Sequence, residues 1–177
     1  MIEGWFDGVC EPKGRLQIWR AIEGWMAGII DGEGTLTIAK QIRRDRPSPA
    51  FRVVVDVANT DRRLLVPFKR YYGGGIYPRP ERRKSKRWKD SWTWHCFDGR
   101  QREFLLAVRP HLRGKRRQAD LLLEFIEHKE SFPRKSLGQG KGSAPLGSAE
   151  LRFRERLWNR VRVLNEKGPT SRSRRLQ

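Results

Sequence analysis

The sequence predicts an α+β fold in which a four-stranded antiparallel sheet carries helices on one of its faces. Segments with helical spacing and segments with alternating residues follow one another as helix, two strands, helix, two strands and then further helices. Each strand has one apolar face for the helices and one polar face that stays open to solvent. A length of 177 residues suits one domain with a core of its own.

The bounds of the predicted elements follow from hydrophobic spacing and from turn residues. Apolar residues three or four apart predict the helices, and strict alternation predicts the strands. Asn59-Thr60-Asp61 is typical of a helix start, whereas Gly73-Gly74-Gly75 and Pro110 are typical of helix ends. In chain order the elements are a helix at 17–31, strands at 35–41 and 51–58, a short helix near 64–68 and strands at 76–79 and 92–97. A turn at Asp98-Gly99 then leads into a helix through Val108, and further helices lie at 116–128 and 149–166.

One domain is therefore predicted over residues 17–166, preceded by an N-terminal extension at residues 1–16. Residues 129–147 are rich in Gly, Ser, Lys and Pro, which predicts a long mobile connection inside that domain. Residues 167–177 are strongly basic and nearly devoid of apolar side chains, so we expect a disordered tail there.

The first helix carries an unusual stripe of small residues. Ala21, Gly24 and Gly28 lie at positions i, i+3 and i+7, so they share one helical face. Small residues make a poor core stripe, but they allow a second helix backbone to approach very closely. The stripe therefore predicts a tight contact with another helix.

An acid flanked by glycines ends this helix. We expect Gly32 and Gly34 to let the chain leave the helix through conformations that other residues avoid, with Glu33 presented between them. If two such helices pack side by side, their two Glu33 carboxylates lie close together. Paired carboxylates in a basic protein indicate a site for a divalent metal ion and a phosphate group.

The net charge of the chain indicates which class of partner it binds. It has 39 Lys and Arg against 20 Asp and Glu, a net charge of +19, which predicts a polyanionic partner. Because no apolar run approaches the roughly 20 residues that a membrane span needs, we expect nucleic acid and no membrane. The N-terminal sequence lacks the pattern of a secretion signal, so we expect an intracellular protein, in a bacterial or phage cytoplasm or an organelle.

The segment at residues 26–34 resembles the signature of the LAGLIDADG homing endonucleases. Glu33 stands where that signature has its second Asp, so the carboxylate is kept. The residues that match the signature are Ala27, Gly28, Ile30, Asp31 and Gly34. The resemblance covers about residues 18–128 and implies the family's αββαββα core.

The resemblance also implies an activity and an assembly. It implies a metal-dependent endonuclease that cuts both strands of DNA at a long pseudo-palindromic site, with Mg²⁺ or Mn²⁺ as cofactor and no small-molecule substrate. Since the chain has one motif and two strands must be cut, it implies a homodimer. The residues expected at the dimer interface are Ala21, Gly24, Ala27, Gly28 and Asp31.

The family's acid maps to Glu33, which becomes the candidate catalytic metal ligand, and the backbone carbonyl of Gly32 is expected to help. Asp31 is interpreted as capping or interface support.

Residues 110–119 resemble the family's Pro-x-Leu-x-x-Lys segment, which maps the active-site lysine to Lys115. Asn59, at a strand end, is a candidate for positioning water, with a helix-capping role almost equally expected.

A second basic helper is expected from Arg62 or Arg63; Arg63 is taken as the candidate, although the sequence does not separate the two. The polar sheet face and the two basic loops at one of its edges form the predicted DNA-binding surface, with a merely solvated face as the alternative. Its residues are Thr37, Gln41, Arg43, Arg44, Arg52, Asp56, Tyr77, Arg79, Arg82, Arg83, Lys84, Lys86, Arg87, Thr93 and His95.

Other classes fit the sequence less well. Gly75-Ile76-Tyr77 spells half of the GIY-YIG nuclease signature without its second half, and three scattered histidines do not form a His-Asn-His nuclease site. A non-cleaving DNA-binding regulator or an intron RNA maturase of the same fold remains the alternative. The retained acid at Glu33 favours cleavage.

Overall fold

The computed structural model describes residues 13–44, 48–79, 90–132 and 144–166, and the side chains from Gln17 onward. It confirms an α+β fold with a four-stranded antiparallel sheet. The elements are α1 (Lys13–Glu33), β1 (Gly34–Gln41), β2 (Ala50–Asn59), α2 (Val66–Tyr72), β3 (Gly75–Arg79), β4 (Ser91–His95), α3 (Asp98–Val108), α4 (Arg116–Ser131) and α5 (Ser148–Asn165). Short 3₁₀ turns at Arg62–Leu65 and Arg109–His111 precede α2 and follow α3.

The sheet has the strand order β1-β2-β4-β3, and every neighbouring pair is antiparallel. β1 and β2 form a long hairpin in which Gly34 lies opposite Val57. β3 and β4 form a second hairpin. Its strand β4 pairs with the last part of β2, where His95 lies opposite Asp56. Three strands therefore meet around Asp56.

One face of the sheet is sealed by the helices. Trp94 is fully buried, and its ring centroid lies 5.0 Å from that of Phe68 on α2 and 5.2 Å from that of Phe104 on α3. The indole N–H of Trp94 also donates to the carbonyl of Gly73 at 2.9 Å. Because buried indole N–H groups need an acceptor, this bond fixes where α2 ends against β4.

Helix α5 covers the outer edge of β1. The amide of Asn165 donates to the carbonyl of Leu36 at 2.9 Å, and the ammonium of Lys40 lies 2.6 Å from the carboxylate of Glu155. An edge strand exposes unpaired backbone groups that another strand could join. These contacts occupy that edge with side chains of the same chain.

The structure differs from the sequence predictions at several element ends. Helix α1 begins at Lys13, four residues before the predicted domain boundary, and it continues through Glu33. The predicted strand at 92–97 ends at His95, although the N–H of Cys96 still donates to Val55 at 3.0 Å. The predicted connection at 129–147 is partly helical, because α4 reaches Ser131, and its residues 133–143 lie outside the described residues.

The expected glycine-only conformations at Gly32 and Gly34 are wrong. Among the described residues, positive φ angles occur at Gly73 and Gly74, with values of 69° and 79°. Gly34 is required for another reason: a Cβ there would lie 2.7 Å from the carbonyl oxygen of Ile30. The turn from α1 into β1 is thus so tight that no side chain fits at residue 34.

No helix among the described residues is long and apolar enough to cross a bilayer.

Neighbouring leucines on α3 test the packing. Leu105 is fully buried, whereas Leu106 is 48% exposed. We expect Leu105→Ala to lower the free energy of unfolding by about 2–5 kcal/mol, since it leaves a cavity in the core. Leu106→Ala should change it by roughly 0.5 kcal/mol. Urea denaturation of both variants measures the difference, and equal losses would contradict this core.

Candidate functional site

The acid of the motif lies at the surface. Glu33 is the last residue of α1 and is exposed, and Gly32 beside it is exposed as well. The following residue, Gly34, is already paired with Val57 in the sheet. The carboxylate is therefore presented at the point where α1 meets the end of the β1–β2 hairpin.

Lys115 is bound to the end of α1. Its ammonium donates to the carbonyls of Ile30 at 2.7 Å, Asp31 at 2.9 Å and Gly34 at 2.9 Å. An ammonium has three N–H groups, so each one has an acceptor. The last carbonyls of a helix lack partners within the helix, and this lysine satisfies two of them, those of Ile30 and Asp31, and offsets the negative end of the helix dipole.

The surroundings of Lys115 change its acidity. Burial lowers the pKa of its ammonium below the ordinary value, and the carboxylates of Asp31 and Glu33 oppose that change. Lys115 thus lies near enough to Glu33 to be influenced by its charge. Its N–H groups, however, are engaged by backbone carbonyls, and its catalytic role remains a prediction.

Asp31 completes the connection in the other direction. Its carboxylate accepts the backbone N–H of Arg113 at 2.7 Å and that of Lys115 at 2.8 Å. Burial alone would raise the pKa of Asp31, but the N–H groups of Arg113, Gly114 and Lys115 hold it below the ordinary value. We call these reciprocal bonds the Asp31–Lys115 clamp. The clamp ties Asp31 to the segment just before α4 of its own chain, and its contact with a second chain stays a prediction.

Asn59 lies two residues beyond Val57, the partner of Gly34, and is therefore level with the end of α1. Its side-chain oxygen accepts the N–H of Asp61 at 2.8 Å. Asp61 in turn caps the following turn by accepting the N–H of Arg63 at 2.9 Å. The N-cap of that turn is therefore Asp61, with Asn59 bound to it from two residues before, and the water-positioning role of Asn59 stays a prediction.

The two candidate arginines are held by other groups. The guanidinium of Arg63 binds the carboxylate of Asp61 at 2.8 Å, and its side chain is 90% exposed. Arg62 lies over the ring of Trp92 with 5.6 Å between guanidinium carbon and ring centroid. The structure does not bring either of these guanidinium groups to Glu33.

The outer face of α1 is only partly the predicted one. Ala21 and Gly28 are exposed, and a Cβ at Gly28 would meet no atom within 4 Å. Ala27 is fully buried in the core of its own chain, so its predicted place at a dimer interface is wrong. Gly24 is half-buried, and a Cβ there would lie 3.8 Å from the imidazole of His111.

Two large residues that the sequence interpretation missed share this face. Ile18 is 62% exposed and Trp25 is 38% exposed. The spacing of residues 18, 21, 25 and 28 alternates between three and four, which is the signal that could have found them. We call Ile18, Ala21, Trp25 and Gly28 the outer stripe of α1.

The predicted polar face of the sheet exists. By the strand register, the predicted residues of β1 to β4 point to the side opposite the helices and are exposed or half-buried: Thr37, Gln41, Arg52, Asp56, Tyr77, Arg79, Thr93 and His95. Arg43 and Arg44, after β1, are exposed. The predicted Arg82, Arg83, Lys84, Lys86 and Arg87 lie outside the described residues.

This face also holds residues that were not predicted. Phe97 follows β4, continues the alternation of Thr93 and His95, and is 53% exposed. It lines a cleft of about 520 Å³ together with Arg52 and Asp56. The alternation of Thr93 and His95, continued to the end of the predicted strand, is the signal that could have found Phe97.

The donor set around Glu33 fits a hard divalent cation, because an exposed carboxylate and neighbouring backbone carbonyls provide oxygen ligands. The carbonyl of Gly32 is not among the acceptors of Lys115, which takes those of Ile30, Asp31 and Gly34. Within the described parts of the chain, no group of three or more His, Cys, Asp and Glu side chains is placed to hold a metal ion.

Comparison with solved structures identifies the fold. The homing endonuclease I-CvuI, solved with its DNA target in the presence of 2 mM Ca, is 21% identical at a TM-score of 0.61, covering 87% of this chain and 88% of that chain. The same protein, solved with the I-CreI target in the presence of 2 mM Mg, is 22% identical at a TM-score of 0.60. That comparison covers 86% of this chain and 88% of that chain. The archaeal intron-encoded homing endonuclease I-Vdi141I, solved as a complex with DNA, is 19% identical at a TM-score of 0.61, covering 84% of this chain and 87% of that chain.

The chain therefore has the fold of the LAGLIDADG homing endonucleases, as the motif at residues 26–34 predicted. No family model matches the sequence, and comparison with curated proteins gives no match. The identification of the fold thus comes from the arrangement of the helices and strands.

The Asp31–Lys115 clamp predicts a pH-dependent stability. Asp31→Asn should lower the free energy of unfolding at neutral pH by about 1–2 kcal/mol, because a neutral amide is a weaker acceptor for backbone N–H groups. Since the pKa of Asp31 is lowered by folding, its contribution is complete above about pH 4 and is lost as the pH falls further. Urea denaturation between pH 7 and pH 3 measures this change.

Glu130→Gln is the matched control, because Glu130 is an exposed acid whose carboxylate lies 3.7 Å from Arg102. It should alter stability by well under 1 kcal/mol. A difference between wild type and Asp31→Asn that stayed constant down to pH 3 would rule out the carboxylate of Asp31 as its source.

Proposed function

We propose that this protein is a sequence-specific double-strand DNA endonuclease that acts as a homodimer with Mg²⁺, or Mn²⁺, as cofactor. The observation that carries the proposal is the position of Glu33. An exposed carboxylate ends a helix whose outer stripe is itself exposed, in the fold of the LAGLIDADG homing endonucleases.

The outer stripe supports the homodimer. It combines the exposed apolar side chains of Ile18 and Trp25 with Ala21 and Gly28. Such a stripe allows two α1 helices to pack closely about a two-fold axis, and Glu33 follows it by little more than one helical turn. Each chain would then contribute one carboxylate, and a two-fold dimer expects a pseudo-palindromic target.

The reaction is hydrolysis of a phosphodiester bond. A divalent cation supplies an activated water, stabilises the charge on the phosphoryl oxygens and assists the leaving oxygen. In this chain Glu33, with the carbonyl of Gly32, would bind it. Asn59, level with the end of α1, remains the candidate for positioning water, and Lys115 keeps the end of α1 in place through the Asp31–Lys115 clamp. Arg63 would have to release the carboxylate of Asp61 before it could stabilise charge at this site.

The open sheet face supports DNA as the substrate. Arg52, Arg79, Arg43 and Arg44 lie on or directly beside it, and the chain has a net charge of +19. A two-stranded ribbon fits the major groove, where all four base pairs can be distinguished. Structures of I-CvuI and I-Vdi141I with DNA, and of I-CvuI with Mg or Ca, agree with this proposal.

The direct test incubates the purified protein with a library of double-stranded DNA and Mg²⁺ and sequences the cut ends. We expect double-strand breaks at a long pseudo-palindromic site and no cleavage in EDTA. Binding to one site without cleavage would instead favour the alternative of a regulator of the same fold. Binding of structured RNA in preference to any DNA would favour a maturase.

Glu33→Gln should abolish cleavage and change DNA affinity by less than about tenfold, because the side chain binds the metal ion rather than the phosphates that dominate affinity. Cleavage assays and filter binding measure the two effects. Glu130→Gln, a control on α4, should retain both. A Glu33→Gln protein that still cuts would refute the assignment.

Gly28→Leu should prevent dimerisation and cleavage. The single chain has room for the new side chain, since a Cβ at residue 28 meets no neighbour within 4 Å. Because residue 28 is also exposed, we expect a loss of assembly to arise between chains. Sedimentation velocity with and without DNA is the measurement.

Gly99→Leu is the matched control, because a Cβ at Gly99 on α3 also meets nothing within 4 Å. It should leave the oligomeric state as it is. A wild-type protein that cuts both strands as a monomer would exclude the proposed assembly.

A further inference from the structure

On the described part of the open sheet face, a carboxylate and an imidazole form a hydrogen-bonded pair. Asp56 on β2 and His95 on β4 lie directly opposite each other, and Nδ1 of His95 is 2.7 Å from Oδ1 of Asp56. Their side chains are 23% and 43% exposed, respectively. The ring of Tyr77 packs against the imidazole with 5.6 Å between centroids. Strand register, hydrogen bond and ring contact together fix the orientation of His95.

The bond determines what the pair can offer to a ligand. An ionised carboxylate only accepts hydrogen bonds, so Nδ1 of His95 must carry the proton that lies between them. In the neutral ring Nε2 is then an acceptor. The second oxygen of Asp56 is an acceptor as well. With a neutral ring, the pair presents acceptors to the cleft of about 330 Å³ that it lines with Thr35, Tyr77, Arg79 and Thr93.

A carboxylate repels the phosphates of DNA, so it weakens binding on a surface that would hold phosphates through arginines. It becomes favourable where the DNA presents amino groups, which occurs at base edges in the major groove. Cytosine shows only its N4 amine there. Adenine places its N7 acceptor beside its amine, guanine shows two acceptors, and thymine shows an acceptor and a methyl group. A pair of acceptors thus fits cytosine and opposes the other three bases.

We propose that Asp56 and His95 form a specificity-determining pair that accepts a hydrogen bond from the N4 amine of cytosine at one position in each half-site. The proposal rests on the proposed function, and it names a base that the sheet would read. Asp56 acts both directly and by holding the tautomer and orientation of His95.

The test measures the relative affinity of the protein for a randomised double-stranded DNA library in Ca²⁺, where binding is separated from cleavage. Wild type should prefer cytosine about tenfold at one symmetric pair of positions. Asp56→Ala, His95→Ala and the double variant should each reduce that preference to within about twofold. Preferences at all other positions should be unchanged, which also shows that the variants are folded. Because the two residues act as one unit, the double variant should lose no more than either single variant.

Glu124→Gln is the matched control, since it removes one carboxylate on α4, where Glu124 lies 3.7 Å from Arg160. It should keep the full profile. A wild-type preference for guanine at the affected position would mean a protonated, donating ring and would overturn the proposal. The proposal would also be overturned if Asp56→Ala weakened the base preferences uniformly at every position, because the pair would then serve only to hold β2 and β4 together. A protein that selects no DNA sequence at all would instead remove the proposed function itself.

Discussion

The Asp31–Lys115 clamp is the interaction on which the rest of the site depends. The residues of the clamp are 84 positions apart in the chain, yet the carboxylate holds the backbone of one segment while the ammonium holds the carbonyls of the other. Because each partner binds backbone groups, the clamp fixes the direction of the main chain and not merely the position of two side chains. The end of α1, and with it Glu33, is thereby anchored to the start of α4 and through α4 to the core.

The sequence predicted the α+β class, the order of the elements and the polar face of the sheet, because alternation and helical spacing are local properties of the chain. Glu33 was identified by its glycine neighbours and by the resemblance to a known signature. The buried side of α1 was harder to predict. Met26, Ala27 and Ile30 are fully buried while Trp25 and Gly28 are exposed, and a helix that is apolar on most sides gives no local cue to the side facing the sheet.

Other differences arise from contacts between segments remote in sequence. The reason for Gly34 is the approach of the Ile30 carbonyl, which depends on how sharply the helix turns into the sheet. The partners of Asp31 lie in a segment that sequence spacing cannot place. Asn59 could be assigned two roles because a strand end and a turn start coincide there, whereas the structure places the cap itself two residues later, at Asp61.

The way the sheet ends at its two sides has a consequence for solubility. Residues 51–57, Phe-Arg-Val-Val-Val-Asp-Val, form a segment of high β-propensity because it is rich in valine. Within the sheet this segment is central, with β1 on one side and β4 on the other. The outer strands offer little template for growth, since α5 covers β1 through Asn165, and β3 has five residues including Pro78, which lacks an N–H. The two edges of the sheet thus offer little for a strand of another chain to pair with.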